Sequence, residues 1–363
     1  MRSEPRIAFV LDALPALGGA EKVLFTALEA FPNADVFTLI YNRAAFYGMP
    51  ITQKSIRTSP LNLLPFAKKY YRLLLPLMVR AIQRFDFQEY DKIVSFNYAV
   101  AHGVLNSNGA RHLSYTYTPM RYAWSDLNLN GTQTRKNLIL HRYMQAFQQW
   151  DRRAAARVDV FAAISQAVAR RIQSAWGRDS HLIYPPVEIE RFHPAQQRGD
   201  YYITVSRLVP HKRIDVLVQA FSQLGLPLVV VGDGPELPRL RALAASNVHL
   251  PGFLPDARIA ELLAGGRGFV CAGEEDFGIA IVEAQAAGCP VIAYGQGGAR
   301  ESVLEGETGM FFDEQTVESL SKAIREFEKI AGSFCTEDIV QNARRFGSHR
   351  FIQEFKQFVE AGE

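Results

Sequence analysis

Gly268-Phe269-Val270-Cys271-Ala272-Gly273-Glu274-Glu275-Asp276-Phe277-Gly278-Ile279-Ala280-Ile281-Val282-Glu283 reads as a strand, an acidic turn and the opening of a helix. The short apolar run at its start suits a parallel strand covered on both faces. Phe277-Gly278 closes the turn, and the spacing predicts a helix over 278–287, stopped by Gly288-Cys289-Pro290. Backbone N–H groups at such a helix start lack intrahelical acceptors and lie at the positive end of the dipole, a ready place for an anion. Gly278 lets the backbone approach a phosphate closely. Glu275 falls in the turn and Glu283 about two turns into the helix, so their carboxylates can reach different hydroxyls of one long ligand. An acidic helix start followed by a solvated glutamate would read the same way.

The same alternation repeats on both sides. Strands are expected at 7–11, 36–41, 92–96, 112–117 and 160–165, and again at 202–206, 228–231, 248–250, 268–271 and 291–294. Helical periodicity fills the gaps, for example at 19–31, 214–224 and 316–330. This is an α/β chain with two doubly wound, Rossmann-like domains facing each other across a cleft. Tyr184-Pro185-Pro186 marks the break between them, because consecutive prolines continue neither strand nor helix. The domains are therefore 1–185 and 186–346, and the last helix, within 347–363, is expected to pack back on the first.

Composition narrows the class. The chain has 363 residues, 48% apolar and 21% charged, which suits two globular domains and excludes disordered or fibrous chains. Cys271, Cys289 and Cys335 show neither metal-ligand nor disulfide spacing, which suits a reducing cytosol. The first residues run straight into an apolar strand, so no leader peptide is expected. The apolar stretch 73–79 is far short of the ~20 residues that cross a bilayer. Net charge is +3 but uneven. Residues 1–185 carry 23 Lys and Arg against 12 Asp and Glu, and residues 186–363 carry 17 against 25. Either the first half faces something anionic or the two domains merely differ.

Other candidates sit at strand ends. Arg207 follows the strand 202–206 and Lys212 comes five residues later, two cations able to neutralise a diphosphate with no metal ion. Gly18-Gly19 lies between the first strand and the first helix, like a loop that approaches a phosphate. Asp12 ends the first strand and is expected to face the cleft. Gly232-Asp233-Gly234-Pro235 follows another strand, yet GxGxxG is absent, which argues against a dinucleotide-dependent dehydrogenase. His102 either lines the cleft or is a satisfied core histidine.

Ser206-Arg207-Leu208-Val209-Pro210-His211-Lys212, Val231-Gly232-Asp233-Gly234-Pro235 and the Glu275…Glu283 segment, in that order, resemble glycosyltransferase family 4. In the first half, Gly18-Gly19-Ala20-Glu21, Phe31-Pro32-Asn33-Ala34-Asp35-Val36 and Thr118-Pro119-Met120-Arg121-Tyr122-Ala123-Trp124 are similar to the branch with bacterial O-antigen mannosyltransferases. The resemblance covers nearly the whole chain. It implies the GT-B fold and a retaining, metal-independent transfer with no cofactor, the nucleotide-sugar being a co-substrate. It further implies that Arg207 and Lys212 hold the donor diphosphate, Glu275 the transferred sugar and Glu283 the ribose. Phe277, Gly278 and Ile279 would lie near sugar and phosphates, Gly18 and Gly19 near the donor phosphate, and Gly232 and Phe253 near the base.

Three departures from that branch stand out. Tyr117 and Tyr98 stand where relatives tend to have His, and Leu11-Asp12 stands where they tend to have His-Asp. Asp12 is retained as a catalytic candidate, and His102, Tyr117 and Arg121 as acceptor-side candidates. The resulting expectation is a hexosyltransferase, with mannose from GDP-mannose favoured, acting on a lipid-linked saccharide in bacterial surface polysaccharide synthesis. It would work in the cytoplasm, peripheral on the inner face of the plasma membrane, with no nucleic-acid partner. A nucleotide-sugar epimerase of the same fold and an inactive sugar-binding relative are the alternatives.

Residues 61–87 mix Lys68, Lys69, Arg72, Arg80 and Arg84 with Phe66, Tyr70, Tyr71 and several leucines. Such a stretch suits either a membrane surface or a helix packed on the first domain. Each cation near anionic lipid contributes about 1 kcal/mol. The membrane reading predicts that the chain sediments with anionic liposomes and that Lys68→Glu, Lys69→Glu and Arg72→Glu together weaken this. Equal binding by the triple variant would remove the patch from the account.

Overall fold

The computed structural model describes residues 5–124 and 135–361, and within these leaves aside the side chains of Lys69, Arg72, Tyr122 and residues 135–141. The chain divides into two compact units, Met1–Tyr184 with Phe351–Glu363, and Pro185–Arg350.

The first unit is built on β1 (Ile7–Leu11), β2 (Asp35–Thr38), β3 (Ile56–Thr58), β4 (Lys92–Asn97), β5 (Arg111–Thr116), β6 (Val160–Ala163) and β7 (His181–Leu182). They form one parallel sheet in the order β3-β2-β1-β4-β5-β6-β7. β1 is buried along its whole length, with Phe9 opposite Val36 on one side and Val94 on the other. This is why Ile-Ala-Phe-Val-Leu shows no alternation. The expected strand at 36–41 ends at Thr38. β3 and β7 had no apolar run to announce them, because both are short edge strands with mostly exposed residues.

The last helix, Ser348–Glu360, completes this unit. Phe351, Phe355 and Phe358 share one face, as spacings of four and three require. The Phe355 ring lies 6.0 Å from Phe9, 5.8 Å from Phe96 and 6.0 Å from Tyr115. Burying each such ring contributes about 2 kcal/mol. Lys92 Nζ donates to the carbonyl of Val359 at 3.0 Å, a cation at the helix's negative end.

The second unit holds β8 (Tyr202–Val205), β9 (Leu228–Val231), β10 (Val248–Gly252), β11 (Gly268–Cys271), β12 (Val291–Tyr294) and β13 (Gly309–Phe312). Its order is β10-β9-β8-β11-β12-β13, again all parallel. β13 went unpredicted because Gly-Met-Phe-Phe is short and half-buried in its middle. Each sheet reverses its winding once, between β1 and β4 and between β8 and β11. At such a point the loops diverge above the strand carboxyl ends and leave a crevice for ligands.

In the first unit Asp12, expected to face the cleft as a catalytic carboxylate, is found turned onto the backbone at that reversal point. Asp12 is fully buried. Its Oδ2 accepts the backbone N–H groups of Tyr98 at 2.8 Å and Ala99 at 3.0 Å, and its Oδ1 those of Val100 at 2.5 Å and Ala101 at 2.7 Å. The carboxylate ties the end of β1 to the loop after β4. Replacing it with Ala strands four donors, each costing about 1–3 kcal/mol when buried. Asp12→Ala should therefore lower the calorimetric melting transition of this unit by several degrees. Asp12→Asn, which keeps one acceptor oxygen, should recover part of the loss; equal melting of all three forms would refute the tether.

Candidate functional site

The crevice of the second unit is lined by the loops after β8 and β11. Past β8, Ser206 N–H donates to Val231 at 3.0 Å and Leu208 N–H to Asp233 at 2.9 Å. This locks the 206–208 backbone onto the turn after β9. Gly232 has φ 138°, and a Cβ there would fall 1.8 Å from the Ser206 carbonyl oxygen. A Cβ on Gly234 would fall 2.3 Å from that of Leu208. These glycines therefore serve a close approach of backbone to backbone, which holds Arg207 outward. Arg207 is exposed and makes no side-chain ion pair among the described residues.

A short turn, Pro210–Lys212, follows, then Arg213 with φ 51°. Arg213 is the one non-glycine of positive φ among the described residues, a strained conformation that the fold must hold in place. It caps the helix Ile214–Leu224 and leaves Lys212 at the crevice. Lys212 Nζ lies 2.7 Å from Glu275 Oε1 and 2.6 Å from Oε2. The two side chains are 24% and 16% exposed. Burial pulls the ammonium pKa down, but the charge of Glu275 and its hydrogen bonds outweigh that, so the pKa is raised. Cys271 Sγ lies 3.6 Å from Glu275 Oε1, and burial pushes its thiol up, which keeps it neutral. Thr204, Ser206, Lys212, Cys271, Glu275 and Ile281 border a cavity of about 10 Å³, room for one water.

The turn that carries Glu275 is braced from β12. Gly298 N–H donates to the Glu275 carbonyl at 2.8 Å. A Cβ on Gly298 would lie 2.4 Å from Phe277 Cα, and one on Gly297, with φ 68°, 2.3 Å from the Glu275 oxygen. Both glycines were missed in the sequence, although Gly295-Gln296-Gly297-Gly298 after the strand 291–294 was their signal. The Phe277 ring is buried 5.2 Å from Phe346. Gly278, with φ 94°, caps the helix Ile279–Ala286. Glu283 is the fifth residue of that helix, about one turn in rather than two. Its Oε1 lies 3.3 Å from Nη2 of Arg191, whose Nη1 contacts Asp256. Arg191 was also missed: in a turn just past Pro185-Pro186 it looks like any surface arginine. Phe253, beyond Gly252, is 75% exposed.

Candidates in the first unit fare differently. Gly18 is extended and precedes the helix Gly19–Ala30, where a Cβ on Gly18 would lie 3.0 Å from Glu21 Oε2. Tyr117 O–H donates to the Ala20 carbonyl at 2.9 Å, and burial pushes its phenol well above the ordinary value. It is a tie between β5 and that helix rather than a proton acceptor. His102 is corrected to a core residue. It is fully buried, with Nε2 3.1 Å from Asp151 Oδ1 and its ring between those of Trp176 at 4.8 Å and Trp150 at 5.8 Å. Asp151 Oδ2 in turn accepts the indole N–H groups of Trp124 at 2.8 Å and Trp176 at 2.5 Å. Arg121 opens the short helix Arg121–Trp124 beyond the carboxyl end of β5. Among the described residues, no group of three or more His, Cys, Asp or Glu is placed to hold a metal ion.

Known proteins match along the chain. The profile described as Glycosyltransferase Family 4 matches residues 17–191, and that described as Glycosyl transferases group 1 matches residues 187–346. A GDP-mannose-dependent alpha-(1-6)-phosphatidylinositol monomannoside mannosyltransferase of Mycobacterium tuberculosis is 35% identical, over 48% of this chain and 54% of that protein. A GDP-mannose-dependent monoacylated alpha-(1-6)-phosphatidylinositol monomannoside mannosyltransferase of Corynebacterium glutamicum is 32% identical over the same shares. The chain thus spans about half the length of the curated relatives it matches. HepE of Anabaena, solved in complex with UDP, superposes with a TM-score of 0.73 at 19% identity, over 98% of this chain and 100% of that one. Sucrose-phosphate synthase of Thermosynechococcus elongatus gives 0.75 at 16% identity, over 98% of each. At such identities the likeness shows the fold alone.

Proposed function

The chain belongs to glycosyltransferase family 4, with the two Rossmann-like units of the GT-B fold, and we propose that it transfers mannose from GDP-mannose to a lipid-linked saccharide with retention of configuration. The observation that carries this reading is the Lys212–Glu275 pair above β8 and β11, beside the glycine-capped start of the helix Ile279–Ala286. A donor's diphosphate takes Lys212 from Glu275, and Arg207 adds the second cation, so charge is neutralised without a metal ion. The released Glu275 carboxylate accepts hydrogen bonds from hydroxyls of the sugar, while Glu283 accepts them from the ribose.

The reaction breaks the bond from the anomeric carbon to the diphosphate oxygen. It forms one to the acceptor oxygen on the same face. The departing phosphate oxygen takes the acceptor's proton, so no protein base is required. That fits a first unit in which Asp12, His102 and Tyr117 are committed to internal hydrogen bonds or ion pairs. GDP-mannose is favoured by the names of the similar mannosyltransferases, and their phosphatidylinositol mannosides favour a lipid-linked acceptor.

A lipid-linked acceptor fits work at a membrane surface, on the inner face of a bacterial plasma membrane. No helix among the described residues is long and apolar enough to cross a bilayer. Leu63 and Leu73 are 85% and 79% exposed, and Phe66, Tyr70 and Leu77 are exposed beside Lys68. These exposed apolar and basic side chains support docking. The side chains of Lys69 and Arg72 lie outside the described residues.

With GDP-mannose and a phosphatidylinositol mannoside or a polyprenyl-linked saccharide, the expected product is alpha-linked, as read by NMR. Glu275→Ala should lower turnover by roughly a hundredfold or more while GDP, no longer competing with Glu275 for Lys212, binds at least as tightly as to wild type. Undiminished transfer by that variant would contradict the role of Glu275. Donor conversion without acceptor would point to an epimerase instead.

A further inference from the structure

We propose that Arg191 is a positioning residue for the donor, fixing the ribose-binding carboxylate of Glu283 relative to the turn that leads from Phe253 to Asp256. The inference rests on the reading of Glu283 as the ribose contact. Arg191 comes from the turn Ile189–Arg191, and its guanidinium reaches two elements distant in sequence. Nη2 lies 3.3 Å from Glu283 Oε1, on the helix after β11. Nη1 contacts Asp256, the first residue of the helix Asp256–Ala264 after β10, and lies 3.7 Å from Glu188. The guanidinium carbon also lies over the Phe192 ring, 4.8 Å from its centre.

One planar fork thus joins the start of the helix after β10 to the helix after β11. Glu283 is only 12% exposed, and the guanidinium beside it holds its carboxylate in one orientation. Arginine suits this task because its two outer nitrogens serve two carboxylates at once in fixed geometry, whereas a lysine offers a single nitrogen. Without Arg191, Glu283 loses this ion pair, and the orientation that matches two vicinal hydroxyls is lost.

The test is calorimetric affinity for GDP and for 2′,3′-dideoxy-GDP, which lacks the hydroxyls that Glu283 reads. Wild type should favour GDP by roughly tenfold or more, the worth of charge-assisted hydrogen bonds. Glu283→Gln should lose most of that preference. Arg191→Ala should lose it too, with dideoxy-GDP affinity within about threefold of wild type, and Arg191→Lys should keep part of it. A purely structural arginine would instead weaken both nucleotides equally, and that outcome, or a full preference in Arg191→Ala, overturns the proposal while leaving Glu283 as the ribose contact. Full preference in Glu283→Gln, or no preference in wild type, would overturn the ribose reading and the inference with it. Should Arg191→Ala fail to fold, Asp256→Asn releases the other arm of the fork and is expected to reduce the preference partially; no change there also counts against the fork.

Discussion

An ammonium and a carboxylate in contact across the winding reversal of the second sheet, Lys212 and Glu275, set the terms for everything around them. Each is partly buried, and each would be costly to leave alone, since breaking a buried pair leaves an uncompensated charge. The surrounding backbone is shaped to keep them in register. Gly232 and Gly234 bring the loop after β9 against the residues preceding Lys212. Gly297 and Gly298 bring the loop after β12 against the turn of Glu275. Arg213, in its strained conformation, ends the loop between them. An empty site is thereby charge-satisfied, and a bound diphosphate exchanges one anion for another at the same ammonium.

A second ion pair repeats the arrangement one helical turn along. Arg191 pairs with Glu283 as Lys212 pairs with Glu275, but with Asp256 as an added anchor it stays in place when the ligand binds. The negative balance of the second half of the sequence is thus locally offset where the ligand's own negative charge has to sit. The first unit shows the opposite economy. At its reversal point, between β1 and β4, Asp12 takes four backbone donors, and the buried His102 is held by Asp151 among three tryptophans.

Much of this was legible from the residues. Continuous apolar runs gave most strands, and a last helix was expected beyond the second domain's own pattern, though its aromatic face was not read in advance. Arg207, Lys212 and Glu275 stood out because each follows a strand end, and Glu283 because it lies on the helix that Gly278 opens. What escaped depends on contacts far apart in sequence. Asp12 at a strand end looks the same whether it faces a ligand or the loop 98–101. Arg191 becomes informative only once Glu283 and Asp256 are seen beside it. Gly297 and Gly298 read as an ordinary turn until the Glu275 backbone is found against them. The edge strands β3 and β7 carry too little buried surface to leave a pattern.

The central claim is that Lys212 exchanges Glu275 for a nucleotide diphosphate. Its most direct test is the ratio of GMP to GDP dissociation constants, which isolates the second phosphate. Wild type should bind GDP roughly a hundredfold more tightly than GMP, and Lys212→Met should reduce that ratio to about tenfold or less, leaving GMP affinity nearly unchanged. An unchanged ratio in the variant would contradict the account.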